Sequence, residues 1–121
     1  MVQCSNNADE NYMLIMELLQ QNDITDGIVA SVEKLTTPVY MACQTLALNV
    51  PQDIKLVCFS NLETAAILNP SLTTITQPAF DMGKAAATIL FKALGNPNFS
   101  IVKEDIIIPS TLVVRGSTSV M

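Results

Sequence analysis

Residues 54–63 read IKLVCFSNLE, a dense run of Ile, Leu, Val and Phe that ends on two small polar residues, Ser60 and Asn61. So apolar a run, bounded by polar residues, describes a buried strand of the kind found in parallel sheets. Asn61 stands where it can cap a short helix over LETAAIL (62–68), with Glu63 in the first turn complementing the helix dipole. Asn69-Pro70 stops that helix. A buried strand that delivers small polar groups at its carboxyl end poses the question of what they hold.

Working upstream, GIVAS (27–31) is another apolar strand without alternation. Thr37-Pro38 sets a hydroxyl N-cap before a proline at the first helical position, so PVYMACQTLAL (38–48) forms a helix and NVPQD turns it back. Near the start, VQC (2–4) reads as a short strand, and Asp9 caps a helix over ENYMLIMELLQQ (10–21). That helix is apolar nearly all round, at Tyr12, Met13, Leu14, Ile15, Met16, Leu18 and Leu19, which predicts burial on more than one face. Downstream, LTTITQ (72–77) is a β-branched strand. Pro78 then opens the longest helix, PAFDMGKAAATILFKAL (78–94), which Gly95 closes. DIIIPSTLVVRGS (105–117) supplies two β-rich runs separated by Pro109, which forbids one continuous central strand.

Strands and helices alternate through short loops, the pattern of an α/β fold with an open, mainly parallel sheet flanked by helices. Ligands of such sheets sit beyond the carboxyl ends of the strands. That rim collects Ser31, Val32 and Glu33 after one strand and Ser60 and Asn61 after the next.

Composition narrows the function. The 121 residues are 50% hydrophobic and 14% charged, with a net charge of −5, so the chain builds a core and lacks the basic surface that phosphate backbones require. Histidine is absent and the three cysteines, Cys4, Cys43 and Cys58, form no metal-ligand spacing. No metal site and no cofactor is expected. Without histidine the usual Ser-His and Cys-His nucleophile pairs are missing, and no GxSxG elbow or phosphate-binding glycine loop replaces them. The expectation is a protein that is not an enzyme. Cys43 and Cys58 lie in apolar runs and read as reduced core thiols. The first ten residues do not form a signal peptide and no stretch is apolar enough to span a membrane, which points to a cytoplasmic protein.

The blocks NVPQDIKLV, PSLTTITQP, MGKAA and LVVRGST, in that order and spacing, resemble the C-terminal part of the lactose-repressor (LacI/GalR) family of transcription regulators. The likeness covers residues from about 24 onward, and more weakly the first strand and helix. It implies the C-terminal part of a periplasmic-binding-protein-like (type I) effector domain, with two lobes and a small-molecule cleft between them. Residues 1–71 and 104–118 would form the C-terminal lobe. Residues 72–103 would belong with an N-terminal lobe missing from this chain, as is the helix-turn-helix DNA-binding headpiece. The long helix would then lack its usual partner.

The resemblance implies an effector-sensing and dimerising segment of a bacterial regulator, most simply a repressor, that binds a sugar or related small molecule. DNA would be met only through the absent headpiece, and no membrane is involved. An exported sugar-binding protein of a transport system is the alternative with the same architecture. Ser60 falls where relatives usually carry an effector-binding aspartate, and Asn61 at the next polar position, although both also suit a turn that caps a helix. Val32 and Glu33 fall where Asn-Asp is common; Glu33 beside Lys34 also reads as a solvated charge. Gln77, Ala79 and Phe80 fall at a lobe crossing that lines the pocket, with a core role as the other reading of Phe80. Tyr40, Met41, Ala65, Ile67 and Leu68 are the expected homodimer interface, against a plain core role. Glycine is usual in the family where Ala47 and Cys58 stand, so the backbone there must accept a Cβ. Arg115 matches a family arginine and reads as an ion pair or a carbonyl contact.

Overall fold

A computed structural model of the protein describes residues 2–21, 25–96, 98–100 and 105–119. The chain divides into two units: one runs to Thr76 and resumes at Leu112, and the other spans Gln77–Thr111.

The first unit is built on the sheet. Strand β1 (Gly27–Ala30) pairs in parallel with β2 (Lys55–Phe59), which pairs in parallel with β3 (Thr73–Thr76). Strand β4 (Thr111–Val113) completes the order β1-β2-β3-β4. Ala30 stands opposite Cys58 and Phe59 opposite Ile75, so the carboxyl ends of the three parallel strands fall close to one line. Two helices belong to this unit, α1 (Ala8–Gln21) and α2 (Thr36–Thr45). Leu56 and Cys58 of β2 join Ala30, Leu35, Val39, Ala42, Cys43, Ile15 and Leu72 in one buried cluster. Removing that apolar area from water, at roughly 25 cal/mol per Å2, is what drives the layers together.

Several sequence expectations give way to longer-range geometry. Val2–Cys4 is not a strand. The Ser5 N–H donates to Asn11 Oδ1 at 2.8 Å, so this segment is tied to the start of α1 and not to a ladder. The cap of α1 is Asn7, whose Oδ1 accepts from the Asp9 and Glu10 N–H groups, and Asp9 lies inside the first turn. Helix α1 buries one stripe, not several faces: Asn11 and Ile15 are buried, Tyr12, Met16 and Leu19 pack beside them, and Met13 is 66% exposed. Nor is β1 covered on both sides, since Val29 is 70% exposed. A single 3-10 turn over Glu33–Leu35 leads directly into α2, so Thr37 caps nothing and Pro38 sits in the first turn, where its missing N–H is still harmless. Residues 62–68 form only a 3-10 turn, Glu63–Ala66, whose N-cap residue is Leu62 and not Asn61. Ile106–Ile108 joins no strand, and Ile107 is 87% exposed.

Helix α2 ends on an uncommon residue. Leu48 N–H donates to Cys43 O at 2.9 Å and Ala47 N–H to Gln44 O at 3.2 Å, the paired bonds of a Schellman motif. That motif needs a left-handed residue, and Ala47 takes the place at φ 54°. The Cβ expected to be accommodated here is therefore accommodated at a conformational cost.

The C-terminal segment laces the opposite edge of the sheet. Ser117 is fully buried; its Oγ donates to Leu56 O at 2.6 Å and accepts from Thr73 N–H at 2.8 Å. Arg115 makes the carbonyl contact, donating to Leu72 O at 2.7 Å and to Thr74 Oγ1 at 2.9 Å.

The second unit carries α3 (Ala79–Gly95), an amphipathic helix with none of its residues buried. Phe80, Phe91 and Leu94 are 83%, 71% and 73% exposed, so Phe80 does not take the core role.

Candidate functional site

Because β1 and β2 are parallel neighbours in register, the residues just beyond their ends share one rim. Glu33 opens the 3-10 turn that follows the Ser31-Val32 bend after β1, and Ser60 follows β2 directly. The two meet: the Ser60 hydroxyl donates to Glu33 Oε1 at 3.0 Å, and the Asn61 N–H donates to the same oxygen at 2.8 Å. The Ser60 oxygen in turn accepts from Leu62 N–H at 3.0 Å, closing a small turn. Ser60 N–H completes the ladder by donating to Ile75 O.

This corrects the expectation for Glu33. It is not a solvated charge beside Lys34, because the Lys34 ammonium donates to Asn6 Oδ1 instead. Glu33 is half-buried and aimed across the rim at the end of β2. The residue pairing was missed because the two are 27 positions apart; the signal for it was the parallel alternation itself, which aligns successive strand ends. Ser60 is buried, at 4% exposure, with its only hydroxyl proton spent on Glu33. Val32 is 42% exposed and Asn61 is exposed, so both open onto solvent at the same rim.

Cys58 lies one step inside this rim. Burial pushes its thiol up, a hydrogen bond from Thr36 Oγ1 at 3.4 Å pulls the other way, and the Glu33 carboxylate adds a smaller upward push. The group presents one carboxylate oxygen oriented by two donors. Among the described residues no cluster of three or more His, Cys, Asp or Glu could hold a metal ion. No helix among them is long and apolar enough to cross a membrane.

Gln77, Ala79 and Phe80 fall in the second unit, and all three are exposed. Of the expected interface residues, Met41, Ile67 and Leu68 are 50%, 80% and 36% exposed. Met41 and Leu68, with Tyr40, border a cleft of about 540 Å3 between α2 and the 68–70 turn; Ile67 does not line it. Tyr40 is half-buried and its hydroxyl donates to Pro70 O at 2.7 Å. Ala65 is a correction. At 1% exposure it belongs to the core of its own chain, where the 3-10 turn folds it inward, and it offers nothing to a partner.

A parallel sheet whose rim presents oriented polar groups fits the domains of the periplasmic-binding-protein-like class. The comparisons agree: residues 2–118 match the periplasmic binding protein-like domain family, to which the chain belongs, and within it the chain is a LacI/GalR-type regulator effector domain. It is 30% identical over 110 residues to the ribose operon repressor of Halalkalibacterium halodurans, covering 91% of this chain and 33% of the relative. It is 32% identical over 102 residues to the ribose operon repressor of Bacillus subtilis, covering 84% of this chain and 31% of the relative. A LacI family transcriptional regulator from Enterococcus faecalis, solved with bound ribose, superposes with a TM-score of 0.80 at 25% identity. That match covers 98% of this chain and 43% of the solved one. The chain thus spans about a third of the length of these curated relatives.

Proposed function

We propose that the chain is the effector-sensing and dimerising segment of a cytoplasmic bacterial transcription regulator, which binds a small sugar-like molecule and thereby modulates DNA binding by a helix-turn-helix domain outside this chain. The observation that carries the reading is the Glu33, Ser60 and Asn61 cluster at the carboxyl ends of two adjacent parallel strands, where open α/β sheets hold ligands. The relatives that are ribose operon repressors, and the similar structure with ribose bound, support a sugar as the effector class. The boundaries between the two units, at Thr76/Gln77 and Thr111/Leu112, support assigning the middle segment, with Gln77, Ala79 and Phe80, to a second lobe.

Effector binding would act by favouring one lobe arrangement over another, a population shift that reaches the DNA-binding heads through the dimer. Tyr40, Met41, Ile67 and Leu68 form the proposed self-complementary patch. The test is a thermal-shift panel on the full-length protein with free sugars, sugar phosphates and nucleosides, followed by operator binding with and without any hit. A bound effector raises the melting temperature with the logarithm of its concentration over Kd and changes operator affinity. A protein indifferent to every compound, or a hit that leaves operator affinity unchanged, refutes the proposal.

A further inference from the structure

We draw no further inference here: the strongest candidate, the cleft of about 540 Å3 between α2 and the 68–70 turn, belongs to the surface already proposed for self-contact, and nothing in the structure shows what fills it.

Discussion

Replacing Ala47 by glycine should stabilise the protein, which few substitutions do. Ala47 closes α2 in the left-handed region at φ 54°, holding the Schellman bonds from its own N–H to Gln44 O and from Leu48 N–H to Cys43 O. An L-residue pays about 1–2 kcal/mol for that conformation because its Cβ crowds the following carbonyl oxygen. Glycine escapes the clash but gives back about 0.4–1 kcal/mol through the larger freedom of its unfolded chain. The Ala47 side chain is exposed, so no buried methyl is lost to offset the gain. The net is a stabilisation of about 1 kcal/mol, or about 3–5 °C in melting temperature for a domain of this size. Urea unfolding followed by circular dichroism measures it as a higher midpoint at unchanged slope. Ala47→Val, which adds a β-branched side chain at the same φ, should move the midpoint the other way. An Ala47→Gly midpoint at or below that of wild type would refute the strain argument.

Ser117→Ala removes a fully buried hydroxyl that serves Leu56 O and Thr73 N–H, and should cost about 2–3 kcal/mol of unfolding free energy by leaving both unpaired; a loss under half a kcal/mol by urea titration would show that water replaces the bonds. Alkaline pH should destabilise the fold, because burial raises the thiols of Cys43 and Cys58 above their ordinary 9.0 and the Tyr40 phenol from 10.0 to about 12. The folded state holds these protons longer than the unfolded chain, so their stability is complete below the unfolded pKa and is lost as pH rises through the folded one. Melting temperature should therefore fall from about pH 9 upward, and Tyr40→Phe should remove the part that belongs to pH 10–12; a flat profile from pH 8 to 11 sinks the argument. Ile67→Glu, which puts a charge on the 80%-exposed centre of the proposed self-contact, should convert a full-length dimer to monomer in sedimentation velocity; a dimer that persists moves the interface elsewhere.

What the chain reveals before folding is local. IKLVCFS declares itself a strand because β-branched and aromatic residues crowd it, and its parallel neighbours follow from alternation with helices. Ile106–Ile108 carries the same composition and yet joins no sheet, because a strand is defined by what it pairs with and composition does not contain the partner. The caps failed for a related reason. Asp9 and Asn7 are equally able to accept from the N–H groups of α1, and Asn11 decides between them by holding Ser5 N–H and fixing where the chain enters. Ala65 sat in an apolar run that offered either an interface or a core, and the 3-10 turn resolved it towards the core. Position 47 was legible as a place where a Cβ is awkward, but only the backbone angle says why.

The rim shows how a strand edge can change in sequence and keep its charge. Every strand of a parallel sheet delivers its last residues to the same edge, and β1 and β2 do so in register. A carboxylate extended from beyond β1 can therefore reach the end of β2, and Glu33 does, with its longer side chain spanning to Ser60 Oγ at 3.0 Å. Position 60 considered alone records the loss of an acid that the family resemblance leads one to expect there. Considered with its neighbour strand, the same edge has an acid, supplied from 27 residues upstream and held in place by the serine. The shift has a cost in freedom: a carboxylate oriented by two donors presents its remaining acceptor sites in one direction. Ser60 and Glu33 consequently have to be mutated as a pair to be understood. In a double-mutant cycle their effects on ligand affinity should fail to add, since one acts through the other.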